Sequence, residues 1–249
     1  MHVISIESLG IVDADSIIYR VAYTSEEDTL DSAKDTLRAY IFENIFKPTR
    51  LSKYVFCFTG DSNHRKEVDS EYKANRSGLE KPKHFKELRQ YAIEEYSGLV
   101  IQNYEADDVV VAIADRYSGS FVLIGIDKDA YQLAGLHFNF VKHEFKAVSP
   151  FDAQYNLAKQ MLMGDSTDNI KGLPKIGDVK ATKLLADSDA PMYTVYEIYK
   201  DLDLLPDYFE QQLRLLRMNK DCILGTQVED YFYDFSNYKL EELIDEFDF

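Results

Sequence analysis

The sequence predicts an α/β fold, a mostly parallel central sheet flanked by helices. Three observations carry this expectation. Short apolar runs alternate with helical periodicity through about residue 150. Acidic residues follow most of those runs, at the strand ends where a parallel sheet presents its ligands. From about Asp152 the pattern turns wholly helical.

Leu9–Val12 reads as a buried strand, and Ser32–Phe46 as a helix stopped by Pro48. Tyr54–Thr59 is the second strand. Residues 61–97 are polar and basic, contain Gly78 and Pro82, and suit an excursion from the sheet. Leu99–Gln102 is a strand, Ala106–Tyr117 a helix opened by acids, and Phe121–Ile126 a strand. A short helical turn over Asp129–Leu133 leads to a weaker strand, His137–Val141. The helical part reads as Asp152–Met163, a Gly172–Gly177 hairpin, Val179–Ala186 and Asp207–Asn219. Glu241–Phe249 is an acidic, aromatic tail.

The chain has 249 residues, 45% hydrophobic, enough for one large domain or one with a small appendage. No apolar run is long enough to span a bilayer, and no basic segment precedes an apolar stretch at the N-terminus. The expectation is a cytoplasmic protein without membrane contact. Cys57 and Cys222 form no disulfide framework and cannot make a thiolate zinc cluster, so any metal is held mainly by oxygen. Net charge is −16, but residues 187–249 carry −11 of it. Two segments are locally basic: Arg65, Lys66, Lys73, Arg76, Lys81, Lys83, Lys86 and Arg89, then Lys171, Lys175, Lys180 and Lys183. Total charge therefore does not exclude a polyanionic partner.

Five acidic clusters carry the chemistry: Asp13 with Asp15; Asp61; Glu105, Asp107 and Asp108; Asp127 with Asp129; and Asp165 with Asp168. Two unit charges about 5 Å apart repel by roughly 3 kcal/mol at an effective dielectric near 20. So many carboxylates in one basin call for divalent cations, and oxygen donors without His or Cys favour Mg²⁺ or Mn²⁺. Their number suggests two ions, the arrangement suited to phosphodiester displacement. Each cluster alone is equally an ordinary helix cap. The glycine hairpin, with Lys180 and Lys183 on the next helix, can grip a duplex phosphate without reading bases. Lys73 and Arg76, following His64-Arg65-Lys66-Glu67, can share a face toward a phosphate beside the carboxylates.

Together these residues resemble the 5′-nuclease superfamily of flap endonucleases and 5′–3′ exonucleases. The matching stretches are Ile11–Asp13 with Tyr19-Arg20, Phe58–Asp61 with Arg65, Tyr72-Lys73 and Arg76, Tyr104–Asp108, Ile126–Asp129 with Gln132-Leu133, and Gly164-Asp165 with Asp168, Gly172 and Gly177. The layout around Phe58–Arg76 is most similar to phage replication exonucleases. The resemblance implies a PIN-like, Rossmann-like sheet, a basic helical arch or clamp at about 62–97, and a helix-hairpin-helix-like region. Residues 1–150 would form the catalytic core and 151–249 the helical DNA-binding region. It implies a two-metal hydrolase acting near 5′ ends of DNA (duplex, nicked or flapped) and on RNA–DNA hybrids, in phage replication, primer removal or recombination. Asp13, Asp61, Glu105 and Asp107 would hold the first Mg²⁺, for which Mn²⁺ substitutes. Asp108, Asp127, Asp129, Asp165 and Asp168 would surround the second. Lys73 and Arg76 would act at the scissile phosphate. Arg65, Gly172, Lys175, Gly177, Lys180 and Lys183 would contact DNA, with K⁺ on the hairpin. A phage-encoded member would work in the host cytoplasm, and the acidic C-terminus would recruit a replication protein.

Two features depart from that pattern. Ala14-Asp15 stands where many members carry Gly and a small polar residue, and the segment from Arg76 to Glu105 is short for an arch. Two other readings stay open at this level. In a haloacid-dehalogenase-like phosphatase, Asp13 would be the nucleophile and Asp15 the acid/base. A catalytically inactive member would only bind branched DNA.

Overall fold

The computed structural model of the chain describes residues 7–235. The acidic tail at 241–249 lies outside the described residues.

The expected α/β class is present. The first strand, β1 (Leu9–Asp13), runs into α1 (Asp15–Thr24). Next, α2 (Leu30–Ile41) continues through a π turn (Phe42–Phe46) into a last short piece, α3 (Lys47–Thr49). Pro48 therefore lies inside the final turn, and the helix stops at Arg50, which is left-handed at φ 54°. After β2 (Lys53–Thr59) come α4 (Arg65–Val68), a 3₁₀ turn (Ala74–Arg76) and α5 (Phe85–Glu95). Then follow β3 (Leu99–Ile101), α6 (Ala106–Arg116), β4 (Phe121–Ile124) and a 3₁₀ turn (Lys128–Gln132). An antiparallel pair, β5 (Gly135–Asn139) and β6 (Glu144–Val148), closes one edge of the sheet.

The strand order is β3-β2-β1-β4-β5-β6, parallel as far as β5. A short β9 (Tyr233–Asp234) pairs antiparallel with the start of β2. The order reverses beside β1, and a ligand crevice forms at such a switch point, beyond the strand C-termini. Side chains alternate across β2. Tyr54, Phe56 and Phe58 pack with α1, α2 and α5, whereas Val55 and Cys57 pack with α6.

A third apolar cluster lies in the helical part. It comprises α7 (Pro150–Met163), the ladder β7 (Gly164–Asp165) with β8 (Ile170–Lys171), α8 (Asp178–Leu185), α9 (Pro191–Asp201) and α10 (Asp207–Leu216). Tyr72, from the basic excursion, is buried in this cluster and so fixes that segment against the helical part. No helix among the described residues is long and apolar enough to cross a membrane.

Candidate active site

The strand ends deliver most of the predicted acids to one crevice. Asp13 closes β1, and Asp127 follows β4 and accepts the Asp129 N–H at 2.9 Å. Glu105 caps α6, with Asp107 in its first turn. Asp61 lies on the exposed rim, its N–H donated to Gln102 Oε1 at 3.0 Å. These residues line a cavity of about 670 Å³ together with Asp15, Lys73, Arg76 and Arg89. A second, tighter cleft collects Asp129, Asp165 and Asp168. Asp165 Oδ1 accepts the Thr167 N–H at 2.7 Å, and Asp129 Oδ1 accepts from Gln160 Nε2 at 2.5 Å. Asp107 lines both. The single basin expected from sequence is thus two adjoining clefts joined at one carboxylate.

Crowding shows in the acidities. Burial, then Asp15 and Asp127, raise Asp13 to about 7. Burial, then Asp127 and Asp165, do the same to Asp129. Asp107 is pushed well above the carboxylate range by burial, Asp108 and Glu105. The donors are oxygen throughout, and their excess negative charge is what a hard dication relieves, so the residues fit such ions chemically. As the side chains stand, no group of three or more His, Cys, Asp or Glu among the described residues converges to hold a metal ion.

Two of the carboxylates are turned to cations instead. Lys73 Nζ donates to Glu105 Oε1 and lies 3.4 Å from Asp168 Oδ2. Arg76 Nη2 donates to Asp168 Oδ1 at 2.7 Å. Tyr72, which sequence reasoning did not assign to the site, donates its hydroxyl to Glu105 Oε2 at 2.6 Å and lies 2.9 Å from Asp168 Oδ2. Burial alone would raise Glu105, but Lys73, Tyr72 and Arg65 hold it below its ordinary value. Lys73 reaches this position through a left-handed backbone, φ 54°, and its N–H donates to the Asp168 carbonyl at 2.9 Å.

Three expected roles need correction. Arg65 makes no surface for DNA: it is 2% exposed. Its guanidinium pairs with Asp108 through two bonds, Nη1 to Oδ2 at 2.6 Å and Nη2 to Oδ1 at 2.7 Å. Asp108 is fully buried, and it also accepts the N–H groups of Asn219 (2.7 Å) and Glu105 (3.3 Å). Both its oxygens are occupied, which removes it from the ligand set. Gly172 does not present open backbone to a ligand. A Cβ there would sit 2.0 Å from the Met163 carbonyl carbon, so the glycine permits β7–β8 to pack against the end of α7. Gly177, in contrast, has nothing within 4 Å of a Cβ position. Lys175, Lys180 and Lys183 beside it are exposed.

The raised acids predict a pH effect on the metal-free protein. An Asp raised from 3.8 to about 7 by folding is ionised in the unfolded chain at lower pH than in the folded one. Stability is therefore lost as pH climbs through that window and is regained on acidification. Without divalent ions the melting temperature should be higher at about pH 5.5 than at about pH 8, and added Mg²⁺ should raise it more at the higher pH. A flat profile in EDTA would show that these acids are not crowded.

Residues 8–160 match the family described as 5′-3′ exonuclease, N-terminal resolvase-like domain. DNA polymerase I of Bacillus caldotenax is 29% identical over 72% of this chain, which spans only 23% of that longer protein. A 5′-3′ exonuclease of Buchnera aphidicola (subspecies Schizaphis graminum) is 27% identical over 79% of this chain and 75% of its own length. In structure, the bacteriophage T5 flap endonuclease, solved with DNA and metal ions, superposes with a TM-score of 0.65 at 17% identity. That match covers 90% of this chain and 96% of the T5 chain, which establishes a shared fold. The family match takes in β1 to β6, α6 and most of α7, more than half of the chain, and on that ground the chain belongs to the 5′-3′ exonuclease N-terminal domain family.

Proposed function

We propose that this chain is a divalent-metal-dependent nuclease that hydrolyses phosphodiester bonds near 5′ ends of DNA, including nicked and flapped duplex and RNA–DNA hybrid. The observation that carries this reading is the pair of clefts sharing Asp107, one flanked by the cations Lys73 and Arg76. Asp13, Asp61, Glu105 and Asp107 would hold one Mg²⁺ (Mn²⁺ in its place), and Asp127, Asp129, Asp165 and Asp168 the other. Bound dications supply charge neutralisation at the scissile phosphate and a nucleophile at neutral pH.

The chain's own groups do the rest. Lys73 and Arg76 line the cavity while paired to Glu105 and Asp168, so they stand where they can hold a phosphate oxygen once ions satisfy those acids. Lys175, Lys180 and Lys183, with the open backbone at Gly177, would grip duplex phosphates, and K⁺ would sit on the hairpin carbonyls. On this reading the core ends near residue 150 and the helical part from 151 onward docks the duplex, while Asp165 and Asp168 return to the site. The basic segment is tied down, which favours an open platform over a threaded arch. Lys83 Nζ donates to the carbonyls of Glu26 (3.2 Å) and Asp28 (3.3 Å), and the His84 ring lies 2.9 Å from the latter. Such an enzyme suits phage replication, primer removal or recombination.

A product ladder from 5′-labelled flap, nicked and blunt substrates tests this reading. Short 5′-phosphorylated products with Mg²⁺, and none with EDTA, are expected; retarded but uncut DNA would make the protein a binding module. Replacing Lys180 and Lys183 together by Ala should weaken duplex binding and flatten its salt dependence by about two phosphate contacts. An unchanged slope would leave the hairpin purely structural.

A further inference from the structure

We propose that Asp15 and Arg89 form a positioning clamp on Thr59 that sets the start of α6, and with it Glu105 and Asp107, against the end of β1. This deepens the nuclease reading and rests on it.

Backbone hydrogen bonding explains why a clamp is needed. In the parallel ladder, Ala14 N–H donates to the Cys57 carbonyl at 3.1 Å. Alternate residues of a strand face the same neighbour, so Thr59 faces β1 as well. The next acceptor in that lane is the Ala14 carbonyl, but the chain has turned into α1 and this oxygen accepts from Ile17 (3.1 Å) and Ile18 (3.2 Å) instead. Thr59 is left with a donor and an acceptor facing a lane that β1 has vacated.

Two side chains from separate helices fill it. Asp15 Oδ2, from the first turn of α1, accepts the Thr59 N–H at 2.9 Å. Arg89 Nη2, from α5, donates to the Thr59 carbonyl. The guanidinium lies over the Phe58 ring at 5.6 Å, and its Nε is 3.7 Å from Asp15 Oδ1, which is buried and makes no hydrogen bond. Held in this way, Thr59 offers its hydroxyl oxygen to the Ala106 N–H at 3.1 Å. That N–H belongs to the first turn of α6, where no intrahelical acceptor exists. Three helices thus meet on one residue.

The choice of acid is informative. Asn at 15 could accept the Thr59 N–H without repelling Asp13, yet the position holds a carboxylate that adds to the crowding. Asn would lose only the 3.7 Å contact with Arg89, whose guanidinium stays on the Thr59 carbonyl and over the Phe58 ring. The arrangement also links α5, whose leading end carries the basic segment, to the carboxylates of α6.

The test compares Asp15→Asn, Asp15→Ala, Arg89→Ala and the double alanine variant in single-turnover cleavage with Mg²⁺. Mn²⁺ stoichiometry and amide exchange at Thr59 and Ala106 are measured alongside. Misplacing reacting groups by about an ångström costs on the order of a hundredfold, and that is the loss expected for each alanine variant. The double variant should be no slower than the slower single, because both act on one residue. Asp15→Asn should keep most of the rate, and all variants should bind as many Mn²⁺ ions as the parent. If Asp15→Ala fails to fold, Arg89→Lys provides the same comparison, since an ammonium cannot bridge Thr59 and Asp15 at once. Parental rates in the alanine variants would overturn the clamp. So would additive losses, or an Asp15→Asn as slow as Asp15→Ala with one Mn²⁺ fewer bound, which would make Asp15 a ligand. If the parent itself does not cleave, the nuclease reading fails instead. The clamp is then judged by exchange alone: faster at Thr59 and Ala106 in Asp15→Ala if it is right, unchanged if it is wrong.

Discussion

Asp107→Asn is expected to lower Mg²⁺-dependent cleavage by about a thousandfold, several kcal/mol of lost transition-state charge stabilisation. Asp107 is the one acid that lines both clefts, so its loss reaches the seam between the two proposed ion sites. Its carboxyl is also crowded, pushed up by burial and by Asp108 and Glu105. Removing its charge should therefore have opposite effects on activity and stability. Without metal, the variant should melt higher than the parent, because a repulsive buried charge is gone. With Mg²⁺ it should gain less. DNA affinity, measured with Ca²⁺ to prevent turnover, should hold or rise as a negative charge leaves the phosphate path. Full activity would remove Asp107 from the site, and activity and affinity falling together would make it a docking residue.

Most of the sheet was legible in the sequence because buried parallel strands read as short apolar runs; β1, β2, β3 and β4 fall within a residue or two of expectation. The elements that escaped each have a physical reason. β6 is an edge strand, exposed along Glu144–Ala147 and buried only at Val148, and its alternation of Phe145 and Ala147 with Glu144 and Lys146 is too brief to stand out. β9 is two residues long and is created by its partner. The apolar stripe of α5, Phe85, Leu88 and Ala92, is sunk among charged neighbours in a segment read as an excursion. α1 carries a stripe in Ile17, Ile18, Val21 and Ala22, but only Ala14 separates it from β1, so the strand and helix periods run together without a turn residue between them. At the site, the strand-end positions of the acids were legible, but the pairing of Tyr72 with Glu105 and of Arg65 with Asp108 was not. Arg65 and Asp108 are 43 residues apart, and nothing local distinguishes a buried guanidinium from a phosphate contact. The same holds for Thr59, whose importance lies in what α1, α5 and α6 bring to it.

The burial of Arg65 leads to the largest stability effect expected in the molecule. Its Nε donates to the Leu215 carbonyl at 2.8 Å and Nη2 reaches the Arg217 carbonyl at 3.3 Å, while the fork holds Asp108 on α6. One side chain thus ties α4, α6 and the end of α10 together, joining sheet to helical part. Arg65→Ala would leave the Asp108 carboxylate buried with only two backbone donors. Breaking a buried pair from one side costs about 3–5 kcal/mol, so a melting-temperature drop on the order of 10 °C is expected for a chain of this size. Arg65→Met combined with Asp108→Leu removes both charges and should recover much of that loss, because the stranded carboxylate, rather than the missing cation, carries the cost. If Arg65 instead served DNA, the single variant would melt near the parent and lose about one phosphate contact from its salt dependence, and the double variant would recover nothing. Thermal melts of the three proteins, with duplex binding at several salt concentrations, separate the two roles.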